Sequence, residues 1–165
     1  MSSSDRRAFL TLLAAAPLVA CGFTPAYGPT GPARAMMGRI AIDDPGARTT
    51  FDLVGRLEER LGRAEAPAWR LGYSVSTEVV ALGITSSNAI TRYNIVGRVG
   101  YSLKRIDTGV TVASGQLQNF TSYSASGTVV STAASERDAY ARLMRILADE
   151  IVTDLVAGSA GWATP

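Results

Sequence analysis

The sequence predicts an α+β fold in the order β-α-β-β-β-α, with an antiparallel or mixed four-stranded sheet and two helices packed on one face. Three observations carry that prediction. Two segments repeat apolar residues with a helical period, and four alternate apolar and polar residues with period two. Each helical segment has a single apolar stripe, so both helices must cover the same layer.

The first strand is the short alternating run RIAI at 39–42, turned by Pro45-Gly46. From Thr49 the period lengthens. Phe51, Val54, Leu57 or Glu58, and Leu61 form one stripe, while Arg56, Glu59, Arg60 and Arg63 populate the other face. Thr49 with Asp52 resembles a capping box, Glu59 and Arg63 form a favourable i,i+4 pair, and the helix is expected to end near 65–67. In WRLGYSVSTEVVAL, Leu71, Tyr73, Val75 and Val79 share one parity, and Arg70, Ser74, Ser76 and Glu78 the other, as in a half-buried strand. A polar loop follows at 83–88. The longest strand then places Tyr93, Ile95, Val99, Tyr101 and Leu103 on one side and Arg92, Asn94, Arg98, Ser102 and Lys104 on the other. Asp107-Thr108-Gly109 signals a hairpin into a weaker strand that runs from Val110 to Tyr123. Tyr140, Leu143, Leu147, Ile151 and Leu155 mark the second helix, with charge pairs Asp138/Arg142 and Arg145/Asp149 and a stop at Gly158.

The N-terminus reads as an address. Arg6 and Arg7 form a cationic region, and the apolar run at 9–20 is too short for the roughly 20 residues that a spanning helix needs. It ends in Leu18-Val19-Ala20-Cys21, which resembles a bacterial lipobox. The one cysteine of the chain is therefore expected to be acylated on sulfur and to become the mature N-terminus, carrying diacylglycerol and an N-acyl chain; a buried structural thiol is the alternative. DRRAFL fits either a twin-arginine export signal or an ordinary cationic leader. Gly22, in the place of an Asp, permits transfer to the outer membrane by analogy with lipoproteins in general. The organisation expected is a signal segment at 1–20, an extended tether at 21–38 rich in Pro and Gly, one domain at 39–158 and a flexible tail at 159–165.

Composition excludes much chemistry. Histidine is absent, and acylation of Cys21 leaves no thiol, so Ser-His-Asp and Cys-His machinery, thiolate metal sites and disulfides are all excluded. Lys104 sits in a strand pattern with no nucleophile beside it. The carboxylate pairs Asp43-Asp44 and Glu58-Glu59 fall in a turn and on a charged helix face. No enzyme, cofactor or metal site is expected, and the small net charge of +2 gives no steering toward nucleic acid.

The octapeptide CGFTPAYG at 21–28, the strand TRYNIVGRVGYSL and the last helix AYARLMRILADEIVTDL together resemble the LPS-assembly lipoprotein family LptE over nearly the full chain. The resemblance implies an outer-membrane lipoprotein that partners the β-barrel LptD. It assists barrel assembly and binds lipopolysaccharide, with its domain facing the periplasm or the barrel lumen. Arg92, Arg98 and Lys104 recur every six residues on one strand face, about 20 Å apart. They are candidate lipopolysaccharide contacts, with a solvated face or barrel-wall contact as the other readings. Phe120 and Tyr123 are candidate barrel-interface aromatics, against simple packing under the last helix. An auxiliary lipid-binding lipoprotein of an ABC-type transporter is the rival function, and a periplasmic hydrolase a more remote one.

Overall fold

The computed structural model describes residues 25–28, 31–84 and 90–163. The expected signal segment, Cys21 and loop positions 85–88 lie outside the described residues. Three long strands form the frame: β2 (Trp69–Ile84), β3 (Ile90–Arg105) and β4 (Thr111–Ser124) pair antiparallel in sequence order. β1 (Ile40–Ile42) runs parallel to the start of β2, pairing Ile40 with Trp69 and Ile42 with Leu71. A parallel neighbour requires a crossover, and α2 (Thr50–Leu61) supplies it. α1 (Pro32–Met36) precedes β1, and α3 (Val129–Trp162) closes the chain.

Register decides which side is core. Leu71, Leu103 and Ala113 lie side by side across the meander, as do Val75, Val99 and Leu117. Between the register shifts at Ala81/Gly83 and Leu103/Lys104, the odd-numbered positions of the three strands therefore share one face, and α3 covers it with Leu143, Leu147, Ile151 and Leu155 fully buried. The helix comes closest over Gly97. A Cβ there would stand 2.9 Å from the Leu143 Cδ2 and 3.0 Å from the Leu147 Cδ1. At 34 residues α3 is about 50 Å long. It matches the 16-residue strands β2 and β3, which extend about 54 Å. α2 has 12 residues, about 18 Å, and reaches only the start of β2. That shortfall leaves Val79 exposed although its parity is that of the core.

Several local expectations change. The tether expected to be extended through 38 contains α1, because Pro32 suits the first helical position and Ala33 and Met36 find the core. Thr49 makes no side-chain cap; the Thr50 hydroxyl instead donates to the Ala47 carbonyl at 2.7 Å. α2 stops earlier than expected, at Gly62 with φ 78°, a left-handed conformation that favours glycine. Phe51 is exposed, off the stripe of Leu53, Val54, Leu57 and Leu61. Of the charge pairs expected within helices, Asp138 and Arg142 meet at 3.1 Å, whereas Asp149 of α3 turns from Arg145 to α2 and accepts from Arg56 and Arg60 at 2.9 and 2.7 Å. α3 passes through Gly158 to Trp162, whose ring packs edge-on against Trp69 at 5.5 Å, so the expected tail is anchored as far as Ala163.

Gly97→Val drives a branched side chain into Leu143 and Leu147. It is expected to lower the unfolding free energy by about 1–3 kcal/mol in urea titration, whereas Gly100→Ala, on the other face, changes it by no more than about 0.5 kcal/mol.

Candidate functional site: the uncovered face of the sheet

No helix covers the even-numbered face of the meander among the described residues. Register lays its side chains in rows running from β2 to β4. Gly72, Ser102 and Ser114 form one row, Ser74, Gly100 and Gln116 the next, then Ser76, Arg98 and Gln118. Gly72 and Gly100 have no side chains to fill the space above them. A trough of about 850 Å³ opens there, walled by serines and Gln116 and bounded by Arg70 and Lys104. It adjoins a second hollow of about 480 Å³ beside Arg98 and Gln118. Beyond these the rows mix apolar and polar side chains: Val96 lies between Glu78 and Phe120, and Asn94 between Val80 and Ser122.

Arg92, Arg98 and Lys104 all project from this face, and all three are exposed. Their surroundings differ. Arg98 Nε donates to the Gln118 Oε1 at 2.7 Å, and its Nη1 stands 3.4 Å from the Glu78 Oε2. Arg70, at the entrance to the trough, donates to Asp43 at 2.6 Å, which raises its pKa. Lys104 and Arg92 enter no ion pair among the described residues. The face thus presents hydroxyls and amides that can bond sugar hydroxyls, together with cations that can meet phosphate.

The two aromatic candidates separate. Phe120 is 59% exposed on the uncovered face. Tyr123 is on the covered face, stacked on Tyr93 with centroids 5.3 Å apart. The positions that sequence reading passed over are the trough glycines and the β4 residues Ser114, Gln116 and Gln118. Their alternation in SGQLQ was the available signal. No group of His, Cys, Asp and Glu among the described residues could hold a metal, and no described helix is long and apolar enough to cross a membrane.

Under α3, the Tyr101 hydroxyl donates to the Asp154 carboxylate. Burial first, then that hydrogen bond, pushes the phenol well above its ordinary value. A phenol with its folded pKa raised contributes stability that is present below the unfolded pKa of about 10 and is lost as pH rises beyond it. The urea midpoint is accordingly expected to fall as pH rises from 10 to 12, and to fall less steeply in Tyr101→Phe. A residual slope from Tyr73 and Tyr123, whose pKa values burial also raises, remains.

The family described as LptE, lipopolysaccharide-assembly, matches residues 37–155. No curated protein matches the chain. Among solved structures, a Caulobacter crescentus protein superposes with a TM-score of 0.68 at 20% identity, covering 79% of this chain and 99% of its own. The rare lipoprotein B of Shewanella oneidensis gives 0.59 at 13% identity, with 76% and 98% covered. A minor lipoprotein of Acinetobacter baumannii gives 0.60 at 16%, with 73% and 91% covered. At these identities the likeness establishes a shared fold.

Proposed function

The chain belongs to the LptE family of lipopolysaccharide-assembly proteins, and from that premise we propose that it is an outer-membrane lipoprotein anchored through Cys21. In this reading it forms a complex with the β-barrel LptD, assists the assembly of that barrel and helps to insert lipopolysaccharide into the outer leaflet. The role is one of binding and positioning, with no catalytic residue. The observation that carries it is the uncovered sheet face. A three-strand surface of serines, glutamines and cations is left open while one helix seals the other side.

The chemistry of that face fits a phosphorylated saccharide. Serine hydroxyls and glutamine amides take and give hydrogen bonds to sugar hydroxyls, and Arg92, Arg98 and Lys104 meet phosphates. Arg98 exchanges Glu78 and Gln118 for a phosphate at the cost of those bonds, so its share of the affinity is smaller than a bare guanidinium's. A barrel lumen is polar as well, so the same surface is compatible with a position inside the barrel. The helical side, with Tyr123 at its margin, is then left for the wall.

Three outcomes test the proposal. A tagged chain expressed in its own cells is expected to bring down LptD in equal amount under mild detergent. Its intact mass is expected to correspond to loss of 1–20 and addition of diacylglycerol and an N-acyl chain; an unmodified thiol with the leader attached overturns the anchor. Arg92→Glu combined with Arg98→Glu is expected to weaken binding of purified lipopolysaccharide by about tenfold with the circular-dichroism spectrum unchanged. Unaltered affinity makes the face an ordinary solvated surface.

A further inference from the structure

The uncovered face does not account for the pole where the chain enters the domain. Trp69 begins β2 there, Arg105 ends β3, and the turn at 106–110 joins β3 to β4. A hollow of about 640 Å³ opens between them, with Pro67, Trp69 and Ile106 in its wall and Arg39, Arg105 and Asp107 as its charges. Arg39 is held in place without being used. Its carbonyl accepts from the Ala68 and Trp69 N–H groups at 2.8 and 3.2 Å, and its guanidinium carbon lies 5.1 Å from the centroid of the Trp69 ring. Stacking occupies the flat face of a guanidinium and leaves the N–H groups along its edge to donate. Arg39 enters no ion pair among the described residues. Arg105 is committed only weakly: its Nε and Nη2 stand 3.2 Å from the Asp107 carboxylate, in a pair open to solvent.

These groups select an oxyanion with carbon attached. Two guanidiniums against one carboxylate leave an excess of one positive charge, the match of a phosphodiester, and guanidiniums bond phosphate oxygens through paired N–H groups. A free phosphate would leave the apolar wall unused. The surroundings do not oppose an anion. Arg34 and Arg63 enter no ion pair among the described residues, with Glu65 as the nearby acid in sequence. Beyond Arg105, Asp43 and Asp44 are balanced by Arg70 and Lys104, and Asp43 is bonded to Arg70.

Position names the source of the phosphate. The Ala26 carbonyl accepts from the Ala33 N–H at 3.1 Å, so α1, whose Ala35 lines the hollow, is fixed to residue 26. Cys21 precedes that residue by five positions, a reach of no more than about 18 Å. With the anchor proposed above, the hollow stands a short tether away from the headgroups among which the acyl chains of Cys21 insert. Tyr27, Ile106 and Val110, each more than half exposed, are groups of the kind that settle at headgroup level.

We infer that the hollow is a phospholipid headgroup site: Arg39 and Arg105 hold the phosphate of an anionic glycerophospholipid of the anchoring leaflet, with its glycerol against Pro67 and Ile106. The choice of a lipid rests on the anchor reading; the anion site does not. Asp107 competes with the phosphate for Arg105.

Both tryptophans of the chain, Trp69 and Trp162, lie at this pole with ring centroids 5.5 Å apart, so tryptophan emission reports on the hollow without a label. The full chain in a non-ionic detergent is titrated with dihexanoyl phosphatidylglycerol and, separately, with glycerol 3-phosphate. The expected result is a saturable change in emission with the lipid, at an affinity about tenfold or more above that for the free phosphate. Arg39→Gln and Arg105→Gln each weaken lipid binding by about tenfold, and Arg39→Lys weakens it less. Asp107→Asn frees Arg105 and tightens binding by about threefold. Where Arg39→Gln disturbs the circular-dichroism spectrum, Arg105→Gln and Asp107→Asn, both on exposed positions, still decide. No saturable change, equal affinity for the free phosphate, or an affinity indifferent to Arg105→Gln and Asp107→Asn overturns the inference. The mass at Cys21 is measured on the same sample, so loss of the anchor and loss of this site are read apart.

Discussion

Everything in this molecule follows from one helix lying on one side of one sheet. The apolar stripe of α3 is satisfied only by the odd-numbered side chains of β2, β3 and β4, and Gly97 lets the two layers close to van der Waals contact. Once that face is sealed, the alternation of the strands between their bulges sends the even-numbered side chains to the opposite surface. A slip of one residue in register would bury Arg98 and Lys104 and expose Ile95 and Leu103. The core and the open surface are therefore set by the same pairing, and neither can be altered without the other.

The surface so produced is graded from end to end. Near the point where the chain enters the domain it is polar, with glycines opening a trough between serines. Toward the far end Val80, Val96 and Phe120 interrupt it, beside Asn94, Ser122 and Arg92. Charge follows a related logic. Where α2 meets α3, Arg56 and Arg60 converge on Asp149 and hold the helices together, with Arg56 also bonded to Glu59. On the open sheet, Arg98 has partners within the chain while Lys104 and Arg92 have none among the described residues, so the cations best able to meet a ligand stand at the two ends of the row.

The parity of β2 and β3 away from their bulges was legible in the sequence, since alternation of Leu71, Tyr73, Val75 or Ile95, Val99, Leu103 has one physical meaning on a one-sided sheet. What escaped were features settled by contacts distant in sequence. Asp149 has a good helical neighbour in Arg145, yet α2 brings two arginines to it. Gly158 is a reasonable helix stop, yet Trp162 has Trp69 to reach. Phe51 lies near the helical stripe in sequence, and only the position of α2 over β1 and β2 leaves it exposed. The trough was hidden for another reason: Gly72, Gly100 and Ser114 carry no distinctive chemistry until register places them side by side.

The central claim is that the even-numbered face is the working surface and the odd-numbered face is core. It is tested most directly by placing a photo-crosslinking residue at each position from 92 to 104 of β3, in cells that make lipopolysaccharide. The account predicts crosslinks to lipopolysaccharide or LptD that alternate, present at 92, 94, 96, 98, 100, 102 and 104 and absent at the odd positions between them. Crosslinks without alternation, or confined to odd positions, contradict it.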